Sequence, residues 1–223
     1  QIEAALGERL LATAKNRALE GFTLPKLLWV KQHEPELYSR AKTFLLPKDY
    51  LRFRLTGQIA SEYSDAAGTL LLDVAGKNWS AEIASAFGID LAICPPLVES
   101  HAKAGTLLPE IARETGLSPG TPVFAGGADN ACGAIGAGVL AEGDSMCSIG
   151  TSGVVLSCTA DGSADYKGKL HLFNHAKENA YYAMGVTLAA GYSLQWFKDT
   201  FAPGVSFGDL LKTLDESEPG AGG

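Results

Sequence analysis

Apolar residues recur at helical spacing through residues 2–18, at Ala5, Leu6, Leu10, Leu11 and Ala14, and this predicts an amphipathic helix. Gly21 and Pro25 break the pattern. Residues 27–32 are apolar and aromatic and run into His33-Glu34-Pro35, after which Pro at a first turn predicts a short helix over 35–40. Residues 43–46 read as a short buried strand. Residues 48–55 read as a helix with Tyr50, Leu51 and Leu55 on its apolar face and Gly57 as its stop. Residues 61–68 are polar and turn-like, and residues 69–74 are apolar and lead to Trp79. Ser80 is a suitable N-cap for a helix over 81–87 that Gly88 ends. Pro95-Pro96 marks an extended crossing, and a helix over 109–115 ends at Gly116.

The pattern changes after Pro122. A strand over 122–125 meets the turn Gly126-Gly127-Ala128-Asp129-Asn130, and a helix over 131–140 follows that carries Gly133, Gly136 and Gly138. Interior glycines weaken a helix, so this one is expected to pack very closely on a neighbour or a ligand. Residues 142–144 read as a domain junction, with Asp144 as a hinge. Beyond it, strands over 145–149 and 154–158 flank Gly150-Thr151-Ser152-Gly153 as a hairpin. A strand over 179–185 and a helix over 187–201 containing Trp196 complete the pattern. Mixed helices and strands without an internal repeat place the chain in the α/β or α+β class.

Two of these turns can carry chemistry. A strand that ends on glycines and opens a helix puts Asp129 and Asn130 at a sheet edge, where α/β proteins bind ligands. There a carboxylate can accept a proton from an alcohol and an Asn can bond a neighbouring hydroxyl. The same Asp serves equally well as a helix cap, and the pattern alone leaves both roles open. Gly150, Thr151, Ser152 and Gly153 offer amides and hydroxyls that suit a phosphate, or form an ordinary hairpin turn. No Lys follows them, so they are not a Walker A loop. Taken together, the two turns suit a cleft with an acceptor hydroxyl on one side and a phosphate donor on the other, as phosphoryl transfer needs.

Composition narrows the partners. The 223 residues are 46% hydrophobic and 19% charged, enough apolar material for a core. The net charge of −7 and the lack of a basic run disfavour nucleic acid and anionic membranes as partners. Cys94, Cys132, Cys147 and Cys158 form no metal-ligand spacing and read as buried, reduced thiols of a cytoplasmic protein. His33, His101, His171 and His175 are scattered, and no metal site is expected. Trp29 and Trp79 are expected in the core, and Asp65 and Asp73 in turns or caps. The chain starts at Gln1 without Met and stops at Gly220-Ala221-Gly222-Gly223, which reads as an internal piece of a larger protein.

Residues 21–33, from Gly21-Phe22-Thr23 through Lys26-Leu27-Leu28-Trp29 to His33, carry a small or aromatic residue, Thr, Lys-x-x-Trp and a polar pair. This stretch resembles the signature of the FGGY carbohydrate kinases. Ser64-Asp65-Ala66-Ala67-Gly68-Thr69 resembles the members that phosphorylate xylulose, and residues 124–138 resemble the segment holding the family's catalytic Asp. The resemblance implies an actin-like, ribonuclease-H-like ATPase fold, two lobes around a cleft, incomplete in this chain. Residues 1–143 would be the later part of the sugar-binding lobe and residues 144–223 the beginning of the nucleotide-binding lobe. It implies Asp129 as base, Asn130 and Phe22 as sugar contacts, Gly150, Thr151, Ser152 and Gly153 on the phosphates of ATP, and Mg2+ as the accompanying ion. The implied product is xylulose 5-phosphate. Ribulose, gluconate or glycerol as acceptor, or a non-catalytic sugar sensor, remain alternatives, and pairing into a homodimer is left open. The family's Asp-x-Gly-Thr motif is absent, so the chain by itself is expected to be inactive.

Overall fold

The computed structural model describes residues 1–212, 217–218 and 220, and residues 213–216, 219 and 221–223 lie outside them. The chain divides into two compact units, Gln1–Met146 with Leu156–Met184, and Cys147–Val155 with Gly185–Gly223. Among the described residues, no helix is long and apolar enough to cross a membrane.

The core of the first unit is built from the N-terminal stripe. Two helices, Ile2–Leu6 and Glu8–Ala14, replace the single helix that the periodicity predicts. Gly7, at φ 49°, turns the chain between them, and Lys15 in the left-handed region ends the second. The stripe survives the break. Ile2, Leu6, Leu10 and Ala14 are buried in one cluster with Leu24, Leu70, Leu71, Ile83, Ala84 and Ile89. Pro25 does not end a helix but lies in the first turn of Thr23–His33. Amides there have no acceptor within the helix, so a residue without an N–H costs little. On the same helix Trp29 is 56% exposed and stacks on His33, with ring centroids 4.7 Å apart, so the expected core position is corrected. Leu24, Leu27 and Leu28 supply the apolar contact instead. Trp79 does pack on the cluster, and its indole N–H donates to the Pro95 carbonyl at 2.8 Å.

The helix Pro47–Thr56 forms and ends at Gly57 as expected, but with its faces exchanged. Tyr50 and Leu51 are exposed, and the residues buried are Asp49, Arg52 and Thr56. Residues 43–46 form no strand, although the Phe44 amide donates to the Ile93 carbonyl at 3.0 Å. The polar stretch 61–68 is more ordered than its composition suggests. Ser61–Glu62 pairs in parallel with Leu97–Val98, and the helix Tyr63–Ala66 follows at once. Ser80 caps Ala81–Ala86 through Ile83 N at 3.2 Å, and Pro109–Thr115 ends at Gly116.

The strand Pro122–Phe124 pairs antiparallel with Lys103–Thr106, which the sequence reading did not anticipate. The helix Asp129–Gly136 follows it. Ser145–Ile149, Gly153–Thr159, Tyr181–Thr187 and His171–Asn174 form a four-stranded sheet in that order. Its last pair is antiparallel, with Tyr182 opposite Phe173. The helices Gly191–Phe201 and Phe207–Lys212 belong to the second unit.

The exchanged faces and the N-terminal core lead to a direct comparison. Leu71→Ala is expected to cost about 2–5 kcal/mol in a denaturant titration. Leu51→Ala, at an exposed position, is expected to cost less than about 0.5 kcal/mol. Equal losses would contradict the burial described.

Candidate functional site

The strand-to-helix turn is tightly constrained. Gly126 has φ 79°, a conformation that a Cβ would strain. At Gly127 a Cβ would lie 3.0 Å from Cys132 Sγ, 3.2 Å from Ala176 Cβ and 3.3 Å from Ser64 Oγ, so the main chain sits where no side chain fits. Ala128 holds the N-cap position, and Asp129 is the first helical residue. Asp129 therefore does not occupy the N-cap position itself. Asp129 is exposed, and its Oδ1 accepts only from the adjacent Asn130 amide, at 2.7 Å, among the hydrogen bonds of the described residues.

Beneath the turn lies a buried polar network. Glu62 is fully buried and caps the helix Tyr63–Ala66. Its Oε1 accepts from the Asp65 amide at 2.8 Å. Its Oε2 accepts from the Ser64 amide and Ser64 Oγ, both at 2.8 Å, and from Ser100 Oγ at 2.7 Å. Ser64 Oγ in turn accepts from the Ala128 amide at 2.9 Å. Lys48 Nζ lies 2.9 Å from Asp49, 3.5 Å from Glu62 and 3.6 Å from Asp65. Arg52 pairs with Asp49 at 3.1 Å and donates to the carbonyls of Ala125, at 2.8 Å, and Ala60. The charged face of the helix Pro47–Thr56 is buried because it neutralises these carboxylates and holds the strand end before the turn. An apolar-face reading misses it, and the spacing of Lys48, Asp49 and Arg52 on one side of the helix is the signal that would have found it.

Burial pushes Asp65 up from 3.8 to about 6; Lys48 opposes this, while Glu62 and Asp49 add to it. Asp65 is thus a member of the charge cluster rather than the turn or cap residue expected. Burial also raises the Tyr182 phenol, with Asp129, Glu62 and Asp65 contributing further.

In the second unit, Gly150-Thr151-Ser152-Gly153 is a closed turn. The Gly150 amide donates to the Ser152 carbonyl at 2.8 Å. The amides of Ala190 and Gly191 donate to the carbonyls of Thr151 and Gly150, at 2.8 and 2.9 Å. A Cβ on Gly191 would lie 2.6 Å from the Gly150 carbonyl oxygen, so the helix start is pressed against the turn. Thr151 and Ser152 are exposed, which leaves their hydroxyls as the groups this turn presents.

The N-terminal domain of the FGGY family of carbohydrate kinases matches residues 3–136. The chain belongs to the FGGY family. It is 61% identical over 217 residues to the xylulose kinase of Bacillus subtilis, covering 97% of this chain and 44% of that protein. It is 54% identical to the xylulose kinase of Lactococcus lactis over the whole chain and 44% of the relative. The crystal structure of xylulose kinase from Rhodospirillum rubrum superposes with a TM-score of 0.86 at 27% identity, over 96% of this chain and 44% of that one. The chain thus spans less than half the length of these relatives. Its mixed α/β architecture is that of the actin-like sugar kinases.

The other expected residues of this FGGY chain have varied surroundings. Phe22 packs on the hydrophobic cluster, edge-on to His171 at 6.0 Å and tilted against Phe173 at 6.3 Å. Phe173 reaches Tyr182 at 5.5 Å, so a row of rings runs from Phe22 to Tyr182. The glycine helix is not closely packed on a neighbouring element. A Cβ on Gly133 would meet Met146 Cε at 3.9 Å, and one on Gly136 would meet nothing within 4 Å. The four cysteines are free, but only Cys158 is buried. Asp73 accepts from the Gly76 amide at 2.9 Å, as a turn residue should. Asp144 accepts from the amides of Leu140 and Ala141, at 3.1 and 2.8 Å.

Asp65 yields a prediction about pH. Its folded-state pKa is raised, so the folded chain holds a proton that the unfolded chain loses between pH about 4 and 6. Its stabilising contribution is complete below pH about 4 and is lost as pH rises through about 6. Asp65→Asn is therefore expected to raise stability at pH 8, by at most about 3 kcal/mol, and to leave it unchanged near pH 4. Denaturant titrations at pH 4, 6 and 8 check this, and a gain that does not vary with pH would contradict it.

Proposed function

We propose that this segment carries the catalytic base of an ATP-dependent kinase acting on a ketopentose, D-xylulose first, in a chain of its relatives' length. One observation carries the reading: an exposed carboxylate, Asp129, opens a helix directly after a glycine turn that a buried network holds in place. The names of the relatives at 61% and 54% identity support xylulose as the acceptor.

In this reading a terminal sugar hydroxyl lies within about 2.6–3.2 Å of the Asp129 carboxylate. The hydroxyl oxygen attacks the γ-phosphorus of ATP, the bond to the β-γ bridging oxygen breaks and ADP leaves. Asp129 takes the hydroxyl proton. Asn130, next in the chain, bonds a neighbouring hydroxyl and sets which oxygen faces the base. Thr151 and Ser152 steady the phosphates through their hydroxyls. Residues 1–143 then belong to the sugar-binding lobe and residues 144–223 begin the nucleotide-binding lobe. Among the described residues, no group of three or more His, Cys, Asp or Glu is placed to hold a metal ion. The carboxylates around Lys48 are already matched by Lys48 and Arg52, so the residues present do not fit Mg2+ and no step is assigned to it. The free thiols suit a reducing, cytoplasmic setting.

The test is Asp129→Asn in a chain extended to the relatives' length, followed by ADP release with a panel of xylulose, ribulose, gluconate and glycerol. Turnover of the preferred sugar is expected to fall about 10²–10⁴-fold while sugar affinity changes little. Undiminished turnover would remove Asp129 as base. A wild-type chain that binds sugar but releases no ADP would mark a sensor.

A further inference from the structure

We propose that Ser64 is a positioning residue for Asp129, acting through the Ala128 amide, and that Glu62 sets the direction of its hydroxyl. The proposal rests on the reading of Asp129 as the base.

The direction of each hydrogen bond follows from chemistry. An ionised carboxylate only accepts, and a backbone amide only donates. Ser64 Oγ lies 2.8 Å from Glu62 Oε2 and 2.9 Å from Ala128 N. Its single proton must therefore go to Glu62, which leaves a lone pair for the Ala128 N–H. The chain Ala128 N–H to Ser64 O–H to Glu62 therefore has one proton arrangement. Bonds to a charged acceptor are the stronger kind, so the hydroxyl is held firmly.

A second arm starts from the same carboxylate. Ser100 Oγ donates to Glu62 Oε2 at 2.7 Å, and the Ser100 carbonyl accepts from the Gly126 amide at 3.0 Å. Both ends of the turn 126–128 thus hang from Glu62. Gly127, between them, cannot settle deeper, because Ser64 Oγ, Cys132 Sγ and Ala176 Cβ already surround it. The next residue in the chain is Asp129. Fixing the Ala128 peptide fixes where the Asp129 Cα begins, and with it the reach of an otherwise exposed side chain. A displacement near 1 Å at a reacting group can cost about 10²-fold in rate.

The experiment is a double-mutant cycle in the chain of the relatives' length, with ADP release as readout and circular dichroism to verify folding. Ser64→Ala is expected to lower kcat about 10–100-fold. The KM for sugar should change by less than about threefold even though Asn130 follows the same turn, because misalignment of the base is felt in the transition state more than in sugar binding. In the Asp129→Asn background the same change should cost less than about twofold, since no base is left to misplace. Equal losses in both backgrounds would make Ser64 merely structural and overturn the proposal. Wild-type kcat in Ser64→Ala, beside an inactive Asp129→Asn, would overturn the positioning role and leave the base reading intact. Full turnover by Asp129→Asn would overturn the base reading itself. If Ser64→Ala does not fold, Ser100→Ala, which cuts the second arm, is measured in the same cycle and judged by the same outcomes.

Discussion

A carboxylate without access to water must find its hydrogen bonds inside the fold, and Glu62 finds them from three directions. Its own helix start supplies the amides of Ser64 and Asp65, the neighbouring strand's continuation supplies Ser100, and Lys48 supplies charge. Each partner is a segment that must be in place for the others to be satisfied. A half-satisfied buried charge costs more than an apolar replacement, so the arrangement is close to all-or-none. The turn before Asp129 inherits that rigidity through Ser64 and Ser100.

Asp129 and the network beneath it have opposite surroundings. The buried carboxylates are matched by Lys48 and Arg52, and Arg52 also binds the carbonyl of Ala125 just before the turn. Asp129 is the carboxylate left at the surface, on the first turn of a helix whose glycine face is open. Rigid support under an exposed carboxylate is what the proposed phosphoryl transfer would require, because that chemistry depends on alignment more than on covalent participation. The turn at Gly150 shows the same economy in the second unit. Its carbonyls are occupied by the start of the helix Gly191–Phe201, and its hydroxyls face outward.

Several elements were legible because their cause is local. Ser80 caps its helix, Gly57, Gly88 and Gly116 take up positive φ, and Pro35 and Pro109 open helices. Each depends on the conformational preference of one residue. The strand–glycine–Asp turn was legible for the same reason, and so was the family, whose signature residues are contiguous in the chain. Phe22, drawn from that signature, is half-buried and packs against His171 and Phe173, contacts that a local motif cannot reveal.

What the chain order determined by itself is therefore the elements whose caps and stops are local, the place of Asp129 at a helix start, and membership of the FGGY kinases. What only tertiary structure decided is which face of each element is buried. On the helix Pro47–Thr56, hydropathy favoured Tyr50 and Leu51 inside, yet Asp49 and Arg52 are buried because partners distant in sequence neutralise them. On Thr23–His33 the same contest left Trp29 outside. Burial of a charge depends on who meets it across the fold, and periodicity along one segment contains no information about that.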